Sequence, residues 1–313
     1  MEGFALERNF TRELTLNKTS SALPALGKQR HVFIPVLNIV LSMIATLGNV
    51  LILVALRKVS SLHPPTKLLF RCLAFTDLCV GLISQPLYAV AVMPRSTKIN
   101  RDILSYFIMG NYVSSYILCG VSALTSTSIS VDRLLALLLG LRYRQVVTLK
   151  RVRVLLSCLW AVSIFGGSMY LWSIRITWIV VAFFLILCLV TSIFSYIKIY
   201  IKLLEHQTRV QDSVGHAPPN GGGIPLNDMT RYQKTVSSIS WVQLALIFCY
   251  APYGIESILW IQGVTSEGAV NWLSTATLVY LNSSLNPILY CWKLREVRQA
   301  AKHTIKQMCH FMN

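Results

Sequence analysis

Seven long apolar runs dominate the chain, at 31–57, 66–93, 103–138, 152–173, 175–203, 232–261 and 269–291. Each reaches the length of about 20 residues that a helix needs to cross the hydrocarbon core of a bilayer. Ser, Thr, Asn, Gly and Pro recur inside most of them. Such residues let helices approach closely and hydrogen-bond to one another, so the pattern predicts a packed bundle rather than separate anchors. The connections are short, apart from a stretch at about 205–230, where Pro218-Pro-Asn-Gly-Gly-Gly223 reads as a flexible linker. The fourth and fifth runs have almost no connection between them. After Tyr290, the residues Leu294, Val297, Ala301, Ile305 and Met308 recur at helical spacing with basic residues between them. That predicts an amphipathic helix on the inner leaflet. The expected fold is an all-α membrane protein: a polar tail at 1–30, a seven-transmembrane helix bundle at 31–291, and the amphipathic helix and tail at 292–313.

Composition agrees with this pattern and removes one alternative. The 313 residues are 54% hydrophobic and 13% charged, with a mean hydropathy of +0.56, too apolar for a soluble domain of this length. In a soluble protein the net charge of +17 would suggest nucleic acid. Its placement argues instead for topology. With the N-terminus outside, the inner segments carry 20 Lys and Arg and the outer segments 9, as the positive-inside rule requires. The expected location is the plasma membrane, with a cytoplasmic C-terminus touching anionic lipid and no nucleic-acid partner. The N-terminal residues show no charged-then-apolar leader, so no cleaved signal peptide is expected. Asn9-Phe-Thr11 and Asn17-Lys-Thr19 are acceptor patterns for glycosylation. The cysteines fall in the apolar runs or the inner tail, which predicts no extracellular disulfide and mostly small buried residues. Cys309, beyond the amphipathic helix, is a candidate for palmitoylation.

The polar residues inside the runs carry the chemistry. Asp77 lies in the middle of the second run. A carboxylate there costs about 2.5–3.5 kcal/mol on insertion scales and needs a partner. It is either a protonated acid satisfied by hydroxyls or a cation or proton site. Ser122, Asn282, Ser283 and Asn286 offer neutral oxygens on other runs, and Asn49 could bridge to Asp77. One carboxylate with neutral oxygens suits a small monovalent ion better than a divalent one. Asp132-Arg133 closes the third run, with Tyr196 and Tyr290 expected near the same depth. Pro252 and Pro287 each remove a helical hydrogen bond and bend their helices. Asn282, Ser283 and Asn286 accompany the second bend, so this segment is expected to hold a working hinge. An ion transporter or channel using Asp77 is the competing reading. No internal repeat and no second intramembrane acid supports it. Nor does a Ser/His or paired-Asp arrangement appear at membrane depth, so no enzyme is expected.

Together these residues resemble the class A, rhodopsin-like G-protein-coupled receptors, and the likeness covers all seven runs and the amphipathic helix. Its landmarks are Asn49, Asp77, Asp132-Arg133, Trp160, Tyr196, Pro252 and Asn286-Pro287-x-x-Tyr290. The resemblance implies an allosteric sodium site at Asp77, Ser122, Asn282, Ser283 and Asn286. It implies that Arg133, Tyr196 and Tyr290 rearrange when the sixth helix moves outward to admit a heterotrimeric G protein. An extracellular ligand would sit among Tyr112, Ser115, Cys119, Tyr250, Tyr253, Ala276 and Tyr280.

Several positions depart from the family pattern. Leu134 replaces the Tyr after Arg133, and Tyr250 the sixth-helix Trp. Cys188, Ala123 and Leu246 replace the usual core triad, and Tyr232 stands where an acid often locks the arginine. Ile108 replaces the outer disulfide cysteine. The short second outer loop, the absent disulfide and the lack of a fifth-helix proline resemble the melanocortin, cannabinoid and lysophospholipid branch. Leu87, Ile108 and Tyr112 occupy the positions of the melanocortin acidic cluster, which argues against that type of peptide. Ser115 replaces the amine-receptor carboxylate and Tyr280 the retinal lysine, so neither ligand class is expected. The pocket is expected to be neutral and aromatic, suited to a lipid, a neutral small molecule or a peptide end. Glu256 is expected to be a solvated residue at the loop edge.

Overall fold

Hydrocarbon offers backbone N–H and C=O groups no partner, and a helix satisfies them within the segment itself. The computed structural model describes residues 25–59, 62–93, 101–215, 226–263, 269–293 and 295–312. Its main elements are α1 Ala25–Lys58, α2 Pro64–Ala91, α3 Arg101–Leu139, α4 Leu149–Ser168, α5 Ile174–Gly215, α6 Leu226–Ile261, α7 Ala269–Lys293 and α8 Arg295–Met312. The described residues contain no strand. By length and composition α1 to α6 each contain a stretch able to cross a membrane. α7 is less apolar because it carries Asn282, Ser283, Ser284 and Asn286, all buried against other helices. Large apolar side chains such as Phe33, Leu47, Phe165, Phe183 and Phe248 are exposed on the outside of the bundle, the surface that lipid covers.

α3 runs through the middle and packs extensively on α2, α4 and α5, while α7 lies between α6 and α1. Two apolar clusters fill the bundle. One holds Val80, Leu118, Trp178, Leu246, Tyr250 and Tyr280. The other holds Ile52, Leu56, Leu73, Tyr143, Tyr290 and Val297. Gly48 lets α1 meet the bend of α7, since a Cβ there would lie 2.8 Å from the Pro287 ring.

α2 is interrupted by a π turn over Val80–Ser84, two residues before Pro86. Proline lacks an N–H and its ring crowds the carbonyl four residues back, which the wider turn relieves. The loosened carbonyls find partners on neighbouring helices. Ser42 Oγ donates to Gly81 O at 2.6 Å, and Asn111 Nδ2 donates to Ser84 O at 2.9 Å.

Several segments differ from the sequence reading. α1 begins at Ala25, inside the stretch assigned to the tail. α5 continues to Gly215 and α6 starts at Leu226, so helix occupies much of the stretch read as linker. Residues 216–225 lie outside the described residues. α8 turns Val297, Ala301 and Thr304 towards the bundle and leaves Ile305 47% exposed; the side chains of Leu294 and Met308 lie outside the described residues. Cys119, Cys188 and Cys249 are buried, Cys72, Cys79 and Cys291 only partly so, and Cys158 is exposed, all as free thiols. A cysteine facing lipid needs no burial in protein. Asn9, Asn17 and the side chains of Tyr232 and Cys309 lie outside the described residues.

Candidate functional site

The functional residues fall into three layers along the bundle. The first is a cavity of about 270 Å³, lined by α2 through α7. All seven residues expected there line it: Tyr112, Ser115, Cys119, Tyr250, Tyr253, Ala276 and Tyr280. Among the described residues, no Asp, Glu, Lys, Arg or His side chain does. Its polar groups mostly satisfy one another. Ser115 Oγ and Tyr280 Oη are 2.6 Å apart, and Asn111 Nδ2 donates to Tyr280 Oη at 3.1 Å. Tyr250 Oη donates to the Cys119 carbonyl at 3.2 Å, which ties α6 to α3 beneath the cavity. Of the altered triad, Ala123 and Leu246 belong to the first apolar cluster, and Cys188 and Ala123 line the cavity. Trp178 of α5 packs against Trp272, with ring centroids 4.4 Å apart, and Trp272 packs against Tyr253 at 4.7 Å, closing one corner of the cavity. Sequence reasoning missed Asn111, Tyr88, Tyr116 and Tyr170, which also line it. Nothing in their local pattern separates them from ordinary helix-packing residues.

Glu256 is a correction. It is 8% exposed, not solvated, and accepts a hydrogen bond from Thr275 Oγ1 of α7. A neighbouring helix supplies the donor, which a single-chain pattern does not reveal.

The second layer surrounds Asp77, which is fully buried. Ser122 Oγ and Ser283 Oγ each donate to its Oδ1 at 2.8 Å. Asn286 Nδ2 donates to its Oδ2 at 2.7 Å. One carboxylate thus pins α3 and α7 to α2. Two expected neighbours do not join it. Asn49 Nδ2 donates to the backbone carbonyls of Ala45 and Ser283, because α1 meets the peptide chain of α7 rather than α2's acid. Asn282 is buried, with its Nδ2 unpartnered. The donors to Asp77 are all neutral, so a buried charge lacks a compensating cation among the described residues. Asn286 Oδ1 is also buried without a partner. A carboxylate, two hydroxyls and a free amide oxygen make a donor set that fits a small monovalent cation.

The third layer lies at the end of the bundle away from the cavity, where Asp132-Arg133 closes α3. Arg133 pairs with Asp132 and also donates to Thr66 Oγ1 of α2 at 2.6 Å. Thr66 Oγ1 donates to Asp132 Oδ2 at 3.0 Å. Tyr143 Oη donates to Asp132 Oδ1 at 2.6 Å. Tyr143 opens the short helix Tyr143–Val146, just past a 3₁₀ turn at Gly140–Arg142. Gly140 has φ +50°, a left-handed conformation that glycine adopts without steric penalty. Leu141 in that turn is 98% exposed. Against His63, before α2, the Tyr143 ring lies 5.2 Å away. Burial holds His63 below its ordinary pKa; Asp132 opposes the shift, and Arg144 and Arg133 add to it.

Tyr196 and Tyr290, which the resemblance has rearrange with Arg133 on activation, make other contacts in this structure. Tyr196 stacks on Tyr200, 6.4 Å away on the same helix. Tyr290 packs edge-on against Phe70 at 5.2 Å, and its buried hydroxyl is unpartnered. Arg133 is held by α2 and the inner turn instead. Thr66 was missed because a Thr after Pro64-Pro65 reads as an ordinary helix start.

The profile described as "7 transmembrane receptor (rhodopsin family)" matches residues 48–173 and 166–290. Melanocortin receptor 4 of Danio rerio is 24% identical over 281 residues, covering 86% of this chain and 81% of the relative. Melanocortin receptor 5 of Rattus norvegicus is 24% identical over 303 residues, covering 94% of this chain and 89% of the relative. The competing reading of Asp77 as a transport site is not favoured by these matches. A profile that runs from α1 through α7, over a bundle with an acid at its centre and an Asp-Arg pair at one end, makes this chain a member of the rhodopsin-like, class A family of G-protein-coupled receptors.

Proposed function

We propose that this receptor responds to an uncharged, largely apolar ligand in the outer cavity and activates a heterotrimeric G protein at the cytoplasmic end. The observation that carries the ligand class is that, among the described residues, no charged side chain lines the cavity. An ionic ligand would lose its hydration there and gain no counter-charge. A melanocortin ligand, which the relatives' names suggest, is the second reading; the neutral lining favours the first. The receptor sits in the plasma membrane with its N-terminus outside.

The response is a population shift, limited by the ligand's differential affinity for two states. Contact with Tyr250 alters the bond that holds α6 to the Cys119 carbonyl. α6 then swings outward about Pro252, and α7 follows through its bend at Pro287. Arg133 leaves Asp132 and Thr66 and faces the G protein, beside the exposed Leu141. Asp77, Ser122, Ser283 and Asn286 would hold a sodium ion that favours the inactive state. That ion would supply the positive charge that the donors around Asp77 lack.

The test is nucleotide exchange by a purified G protein with the receptor in nanodiscs, screened against neutral lipids, charged amines and peptides. Neutral apolar compounds should activate, and Tyr280→Phe should weaken them. Activation by charged amines or by peptides alone overturns the ligand class.

A further inference from the structure

The cavity lining does not stop at the bundle axis. From Ala276 and Tyr280 on α7 it continues past Gly120 of α3 to Val162 and Gly166 of α4 and Val180 and Phe184 of α5. Val162 is 39% exposed, so this end of the lining reaches the surface that lipid covers. α4 and α5 touch each other sparsely, although each packs extensively on α3.

Two adjacent glycines explain the seam. A Cβ at Gly167 would lie 2.5 Å from Ile117 Cγ1, so there α4 is pressed against α3. At Gly166 a Cβ would just reach Val180 Cγ1, at an ordinary contact distance of 3.8 Å, so the hydrogen that stands in its place leaves a gap there. α4 therefore leans on α3 at one residue and stands clear of α5 at the residue before it. Ser163, one turn back, is 6% exposed, lines the cavity and has an unpartnered Oγ. A hydroxyl shut away from water without a hydrogen bond is costly. Gly120 faces it, and a Cβ there would sit 3.3 Å from Ser163 Oγ. The missing side chain leaves the hydroxyl open towards the cavity.

We propose that an uncharged lipid, with an apolar chain and a hydroxyl or carbonyl group, reaches the cavity from the bilayer through the seam between α4 and α5. Ser163 meets its polar group, and the chain lies along Val162, Gly166, Val180 and Phe184. The inference rests on the neutral-ligand reading above and adds the ligand's class and route. Size agrees with it. The cavity, seam included, holds about 270 Å³, near the lower end of the roughly 300–1,000 Å³ of small-molecule sites. The rest of a long acyl chain would therefore extend past Val162 into the bilayer.

A monoacylglycerol carrying a diazirine on its acyl chain tests this, with the receptor in phosphatidylcholine nanodiscs and labelled residues mapped by mass spectrometry. The probe should label the inward faces of α3, α4 and α5 around Gly120, Ser163 and Phe184. The diazirine analogue of lysophosphatidate, which carries a charged phosphate, should not. Gly166→Trp plugs the seam and should slow cavity labelling about tenfold, equivalent to a barrier about 1.4 kcal/mol higher. Phe184→Ala widens the seam and should not slow it. If Gly166→Trp fails to fold, Val162→Trp on the exposed rim makes the same test. Unchanged labelling of Ala276 and Tyr280 in the plugged receptor overturns the route and leaves the neutral-ligand reading standing. Labelling confined to lipid-facing positions such as Phe165 and Phe183, or cavity labelling by the charged analogue alone, overturns both.

Discussion

Tyr143→Phe removes one hydroxyl from the lock around Asp132, and with it the bond to Asp132 Oδ1 and the 3.0 Å hydrogen bond with Thr66 Oγ1. Asp132 is 4% exposed. Its Oδ2 takes bonds from Arg133 and Thr66, whereas its Oδ1 takes one from Tyr143 at 2.6 Å. The substitution keeps the ring against His63 and removes only the hydroxyl. Oδ1 then loses its donor. A hydrogen bond to a charged group contributes about 1.5–3 kcal/mol. At about 1.4 kcal/mol per factor of ten, the inactive arrangement loses roughly ten- to hundredfold against a state in which that bond is already broken. With an active population of about 1% in the wild type, ligand-free signalling should rise about tenfold or more. The assay is nucleotide exchange by a purified heterotrimeric G protein with the receptor in nanodiscs and no ligand. Thr66→Val should move the rate in the same direction, which separates loosening of the lock from loss of a G-protein contact at Tyr143. Unchanged basal exchange in both variants, with normal folding, refutes the lock.

Sodium chloride in place of choline chloride should raise the Tm of the wild-type receptor, by about 1.4 kcal/mol of stability at ten times the ion's Kd; a shift that survives Asp77→Asn removes the ion from this site. Gly48→Val forces a side chain onto the Pro287 ring, where even a Cβ would lie 2.8 Å away. It should cost about 1–3 kcal/mol, read as a lower Tm, and an unaltered Tm contradicts the close approach of α1 to α7. Acid should favour the open state through His63. Its pKa is lowered in the closed arrangement, chiefly by burial, so protonation favours a state in which the ring is hydrated. Basal exchange should therefore rise as pH falls below about 6.5, the ordinary imidazole value. A flat profile, or one kept by His63→Phe, rules this out.

What the chain alone determined is everything that depends on composition and spacing along one segment. Apolar length made the membrane helices legible, because hydrocarbon tolerates no unsatisfied backbone. Polar residues inside those helices, Asp77 and Asn286 above all, stood out because they are unfavourable there. Tertiary structure decided which polar groups meet. It placed Ser122, Ser283 and Asn286 on Asp77 and turned Asn49 towards the α7 backbone. It also added Thr66 of α2 to the Asp132-Arg133 pair that the sequence placed at the end of the third run. A hydrogen bond is made over about 3 Å, and whether two helices come that close depends on side chains elsewhere. Gly48 against Pro287 and Gly167 against Ile117 set such distances. One residue's turn about a helix axis redirects a side chain by about 100°, so the packing of whole helices, rather than any motif, assigned Glu256 to Thr275 and left Ser163 facing an open seam.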